Sequence, residues 1–111
     1  MKVGVIEYFD SMHMLPGHSK CGVPHGHTYK VEVEVSGEIV NGMVIDFAVL
    51  KSALREIIRG LDHINLNTLL PYPSCENIAL EIHKRLKPRL ENKQTMVRIW
   101  EGEGKWAEHE E

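Results

Sequence analysis

Cysteine is scarce in this chain. Cys21 and Cys75 are the only two in 111 residues, too few for a disulfide framework, so in a reducing compartment each is expected as a free thiol. No apolar run approaches the roughly 18 residues needed to span a bilayer. The first residues carry no signal-peptide pattern, so the expected compartment is the cytoplasm. Basic blocks are missing too: the net charge is −3, and no Lys/Arg cluster offers a surface to a phosphate backbone. There is no internal repeat and no low-complexity segment. The one strong charge cluster is the "EHEE" tail (108–111), which is expected to fray. What remains is ordinary for a globular domain, 42% apolar and 26% charged. The length suits a single domain, 1–111, with a modest core.

Histidine is the exception. There are seven, and the stretch from His13 to His27 is dense in them. Imidazole suits zinc and other borderline metals, which makes this density the first functional hint.

Along the chain, residues 2–13 are rich in valine, isoleucine and aromatics and predict a strand. Residues 14–24 hold two glycines and two prolines and predict a loop. Tyr29, Val31, Val33 and Val35 alternate with Lys30, Glu32 and Glu34, the clearest strand signal present. The Asn41-Gly42 turn predicts a short returning strand at 43–45. Asp46 is placed to cap a helix over 47–59, with Phe47, Leu50, Leu54, Ile57, Ile58 and Leu61 as its apolar stripe and Gly60 as its stop. Ser74 caps a second helix over 75–87, with Glu76 in its first turn, inward positions Ala79, Ile82, His83 and Leu86, and Pro88 beyond. Strands are expected at 95–101 and around 105–109. The order β-β-α-α-β-β predicts an α+β domain, an antiparallel sheet with two helices on one face.

On this frame the histidines gain meaning. His25 and His27 share the parity of Tyr29 to Val35, so they extend the strand's apolar face at its N-terminal end. Same-side positions in a strand lie roughly 7 Å apart, close enough to converge on one ion. His13 can join them if the first two strands pair antiparallel through the loop 14–24. Three imidazoles with a fourth position open is the pattern of a catalytic zinc site, not of a closed structural one.

Cys21 stands four residues before His25 and can be a fourth ligand, a small buried hydrophobe, or a nucleophile or base. Asp62-His63 follows the first helix and is either an ordinary Asx turn or an acid–base pair. Glu101 ends an apolar strand, as a solvated terminus or as a carboxylate for paired N–H donors. His18, His83 and His109 are read as loop, helix-stripe and tail residues without a chemical role.

The motifs "FDSMH" (9–13), "CGVPHGHTY" (21–29), "GMVIDFAVLK" (42–51), "LDHINLN" (61–67), "PSCENIA" (73–79) and the "WE" ending at Glu101 occur in this order. With them, nearly the whole chain resembles the family of 6-pyruvoyl- and 6-carboxy-tetrahydropterin synthases. The resemblance implies a tunnelling fold, in which four-stranded sheets of three subunits close into a barrel and two trimers stack into a hexamer. It implies His13, His25 and His27 as Zn²⁺ ligands and Cys21 as the catalytic thiol. Asp62 and His63 become its acid–base partners, contributed by a neighbouring subunit. Glu101 becomes the anchor of the pterin's guanidine-like edge, and Glu76 lies in a motif lining the same pocket.

The three residues between Cys21 and His25 and the "MVIDF" stretch favour the 6-carboxy branch, which serves deazaguanine (queuosine or archaeosine) biosynthesis. The substrate implied is 7,8-dihydroneopterin triphosphate, with loss of triphosphate and acetaldehyde. The alternatives are the pyruvoyl-forming reaction, a non-catalytic pterin- or metal-binding protein, and a structural zinc site bracing an oligomer. Two positions depart from the family pattern: Met12, where Ala or Ser is usual, and Cys75, where Thr is usual.

Overall fold

The computed structural model describes residues 1–111. Four strands, β1 (Lys2–His13), β2 (His25–Ser36), β3 (Gln94–Glu101) and β4 (Lys105–Glu110), form one sheet in the order β1-β2-β3-β4. Each neighbouring pair is antiparallel. Helices α1 (Phe47–Arg59) and α2 (Cys75–Leu86) are inserted between β2 and β3. They cover one face, α1 over β1 and α2 over β3 and β4. The expected α+β architecture is therefore the one observed.

Alternation does in three dimensions what it announces in sequence. Tyr29, Val31, Val33 and Val35 are fully buried, and with Val97 and Ile99 they meet Leu50, Leu54, Ile57 and Ile58 of α1 and Ile78, Ala79, Ile82 and Leu86 of α2. Both helix starts are capped as expected. Asp46 accepts from the Ala48 N–H and Ser74 from the Asn77 N–H, each satisfying a donor that the first helical turn leaves free.

Several expectations are corrected. No strand forms at 43–45. Asn41 and Gly42 make the turn with φ of 53° and 82°, but only one bridge, Val40 to Met43, follows. Val44 turns into the core and Asp46 must already serve as the cap, so no length remains for a strand. Phe47 is exposed, because the first position of α1 lies beside an open cleft with Met1, Val3, Ile39 and Met43, not over the strands. Gly60 ends α1 with an ordinary φ of −77°, and the left-handed residue is His63 at 55°. Helix α2 stops at Leu86, one residue early, and Lys87–Leu90 continues as a 3₁₀ turn that accommodates Pro88.

The tail does not fray: Glu111 exchanges both backbone hydrogen bonds with Thr95. His109 also packs edge-to-face on the buried His83, whose Nε2 lies 3.1 Å from the Thr95 carbonyl. No helix is long and apolar enough to cross a membrane.

The outer side of β1 is partly covered by the chain leaving α1. Asp10 N–H donates to Asp62 Oδ1 at 2.9 Å, His63 N–H to the Asp10 carbonyl at 2.6 Å, and Met12 N–H to the Ile64 carbonyl at 3.0 Å. Strand β1 is otherwise an edge of the sheet, as is β4.

Candidate metal centre and its acid–base neighbours

The β1–β2 register sets His13 directly opposite His25 and Ser11 opposite His27. Because all three histidines point to the helix-covered face, their rings meet at the end of the sheet. Each offers a nitrogen within 4.8 Å of the others. The rings pack edge-to-face with centroids 4.6, 5.1 and 4.7 Å apart.

Backbone carbonyls fix the tautomers. His13 Nδ1 lies 2.7 Å from the Pro73 carbonyl, and His25 Nδ1 lies 2.7 Å from the Val23 carbonyl. A carbonyl only accepts, so each Nδ1 carries the proton and each Nε2 presents a lone pair. Those two Nε2 atoms are 3.0 Å apart. Two lone pairs facing at that distance repel unless a cation lies between them. His27 Nε2 is buried and has no hydrogen-bond partner. Glu101 Oε1 is 3.3 Å away but outside hydrogen-bond geometry. Burial, followed by the charges of His13 and His25, lowers the pKa of His27 against the opposing pull of Glu101, which favours the neutral, ligating imidazole. Tetrahedral Zn–N bonds of about 2.0–2.1 Å place neighbouring donors about 3.3 Å apart, close to the 3.0 Å between His13 Nε2 and His25 Nε2. The donor set fits a zinc-like ion.

Glu101 is the carboxylate of the centre. It ends β3 opposite Tyr29 and Lys105. Its Oε2 lies 3.9 Å from His13 Nε2, and the Lys105 ammonium is 3.5 Å from Oε1. The Cys75 thiol donates to Oε2 at 3.9 Å. Burial, then the Glu101 charge, pushes that thiol up to about 12. The Tyr29 hydroxyl is buried without a partner, and burial followed by Glu101 raises its pKa. Glu76, by contrast, stands exposed in the first turn of α2, and its carboxylate makes no hydrogen bond within the chain. Its neighbour Cys75 reaches Glu101 instead. Cys75, Tyr29 and Lys105 join Glu101 here beyond the catalytic, binding and metal residues expected from the sequence. The one available signal was that Cys75 departs from the family pattern.

Asp62 and His63 form an ion pair, with His63 Nδ1 2.8 Å from Asp62 Oδ2. The Asp10 N–H, then His63, holds the Asp62 carboxyl below its ordinary range, and the bond to Asp62 raises His63. Asp10 completes a cluster with them within 4.8 Å and accepts from the Thr28 hydroxyl. His63 and His27 line one open cleft.

Cys21 lies half-buried in the loop between β1 and β2. Its thiol is not among the three donors that gather as the metal centre. The centre thus has three protein nitrogens and one carboxylate beside them.

The family described as 6-pyruvoyl tetrahydropterin synthase matches residues 2–111. Over 109 residues the chain is 45% identical to an Archaeoglobus fulgidus protein with the provisional name 6-carboxy-5,6,7,8-tetrahydropterin synthase, covering 97% of this chain and 94% of the relative. It is 34% identical to the 6-carboxy-5,6,7,8-tetrahydropterin synthase of Haemophilus influenzae, covering 93% and 94%. A third relative, the dihydroneopterin monophosphate aldolase of Pyrococcus furiosus, is 44% identical over 80 residues, 70% of each chain. The solved 6-pyruvoyl tetrahydropterin synthase of Caenorhabditis elegans superposes with a TM-score of 0.90 at 23% identity, over 100% of this chain and 95% of that one, which establishes a shared fold.

Proposed function

The chain belongs to the 6-pyruvoyl tetrahydropterin synthase family, and from that premise we propose that it is a zinc-dependent lyase of the 6-carboxy branch. It converts 7,8-dihydroneopterin triphosphate and one water to 6-carboxy-5,6,7,8-tetrahydropterin, triphosphate and acetaldehyde. Its product serves deazaguanine biosynthesis in the cytoplasm.

The observation that carries this reading is the placement of Glu101 beside the three-imidazole centre, Oε1 3.3 Å from His27 Nε2. A carboxylate there can accept two parallel N–H bonds from a pterin's amino-pyrimidine edge. That anchor sets the pterin's side chain against the imidazoles. Bound by His13, His25 and His27, Zn²⁺ would polarise the side-chain oxygens as a Lewis acid.

The remaining work is proton transfer. Cys21 removes a proton from the side-chain carbon, and the Asp62–His63 pair holds and returns protons, with Asp62 fixing the ring and favouring its charged form. In this reading the pair is supplied by a neighbouring copy. Strands β1 and β4 are both sheet edges, so copies can join edge to edge into a trimeric barrel, doubled to a hexamer.

The test is incubation of the zinc-loaded protein with 7,8-dihydroneopterin triphosphate and identification of the products. Acetaldehyde with 6-carboxytetrahydropterin supports the proposal, and a pyruvoyl product without acetaldehyde overturns it in favour of the other branch. Replacing Cys21 by Ala should leave zinc bound and lower turnover by roughly 10²-fold or more, the scale of general base catalysis. A second reading, carbon–carbon cleavage of the monophosphate, is favoured by the 44% identity to the Pyrococcus aldolase. Turnover of dihydroneopterin monophosphate in place of the triphosphate would select it.

A further inference from the structure

His18 has no part in the groups described so far, yet it stands at the centre of the loop that carries Cys21. Its Nδ1 accepts the backbone N–H of Cys21 at 2.9 Å and that of Lys20 at 3.2 Å. Its own N–H donates to the Leu15 carbonyl and its own carbonyl accepts from Gly22 N–H, each at 3.0 Å. The Leu15 N–H in turn donates to the Cys21 carbonyl at 2.8 Å. Both backbone groups of Cys21 are therefore taken up inside the loop, and one of the two partners is an imidazole. The closure is tight: a Cβ on Gly22 would come within 2.5 Å of the His18 carbonyl oxygen.

Two amide N–H groups aimed at Nδ1 require a lone pair there, which puts the His18 proton on Nε2. His13 and His25 have the opposite tautomer, with Nδ1 against a carbonyl. His18 is thus chemically distinct from the metal ligands.

We propose that His18 is a positioning residue for Cys21: its Nδ1 lone pair holds the Cys21 N–H and so sets where the thiol sits. The proposal rests on Cys21 as the proton-transfer group, but its physical content is the conformation of Cys21, which can be read without turnover. A displaced proton-transfer group costs turnover steeply, up to about 10²-fold for a shift of 1 Å.

The test compares His18→Ala with His18→Asn in the full chain, zinc-loaded. Asn can rescue the contact, because its Oδ1 accepts N–H groups two and three residues ahead, the geometry of an Asx turn. Four quantities are read: zinc content, kcat and KM on 7,8-dihydroneopterin triphosphate, and the iodoacetamide alkylation rate of Cys21, followed by mass spectrometry of its peptide. His18→Ala is expected to keep its zinc and KM, to lower kcat by roughly tenfold or more, and to change the alkylation rate at least about threefold. His18→Asn should return kcat and alkylation towards the unsubstituted protein.

Wild-type alkylation and kcat in His18→Ala overturn the proposal. So does an Asn variant that behaves like Ala, which would mean the lone pair is not what matters. Loss of zinc in His18→Ala overturns it as well, by making the loop a general brace of the metal centre. Undiminished turnover in Cys21→Ala would instead sink the proton-transfer role of Cys21. An alkylation change in His18→Ala that Asn reverses would even then uphold His18 as the residue that positions Cys21.

Discussion

His13 and His25 face one another across the β1–β2 ladder with their Nε2 atoms 3.0 Å apart and their Nδ1 protons committed to carbonyls. The arrangement leaves lone pairs in need of a cation. We expect close to one zinc per chain by elemental analysis. Replacing His27 by Ala should strip it with little loss of structure, since this side chain lies partly exposed at the end of the sheet. His13→Ala should lose the metal and also stability, about 1–3 kcal/mol, because the buried Pro73 carbonyl loses its donor. Undiminished metal in the His27 variant would refute the ligand set.

Cys75 and Cys21 should differ sharply in reactivity. Burial and the adjacent Glu101 hold the Cys75 thiol at about 12, so at pH 8 almost none of it is thiolate. In metal-free protein, iodoacetamide should modify Cys21 first, with Cys75 slower by at least about tenfold. Peptide mapping that finds Cys75 modified first would contradict the placement of Glu101.

The Asp62–His63 pair makes a signed prediction about pH. His63 is raised above 6.5, so its contribution to the folded state is full below that value and is lost as pH rises through the folded pKa. Asp62 is lowered below 3.8, so its contribution is present above that value and is lost as pH falls through the folded pKa. The pair is therefore strongest between those limits. An NMR titration of the His63 ring should give a midpoint above 6.5, and Asp62→Asn should bring it back towards 6.5. A midpoint indifferent to Asp62 would show that the ion pair does not set it.

The proposed assembly would use the open edges of the sheet. The segment 62–64 covers only Asp10 to Met12 on the outer side of β1. The expected solution mass is a multiple of the trimer, most simply a hexamer, measured by sedimentation or light scattering. A stable monomer at micromolar concentration would argue against edge-to-edge closure and against a site shared between copies.

Much of this was legible in order along the chain. The Tyr29–Val35 alternation announced β2 and its buried face. Asp46 and Ser74 announced the two helix starts. Parity alone placed His25 and His27 on the core side, and a hairpin sufficed to add His13. These signals are local: backbone period, cap chemistry and one antiparallel register. The same local rules misjudged 43–45, where a turn was correctly read but the next helix began too soon. They also misjudged the tail, whose charges suggested fraying while its backbone paired with Thr95.

The sequence by itself determined the layer architecture and the three imidazoles, because period-two and helical patterns specify which side chains share a face. Only the tertiary structure decided how those groups are tuned. Pro73 reaches His13 across 60 positions, Cys75 reaches Glu101 across 26, and Asp62 reaches Asp10 across 52. Contacts that distant depend on how the helices dock on the sheet, and no local period encodes that. The tautomers, the suppressed Cys75 thiol and the oriented acid–base pair all follow from that docking.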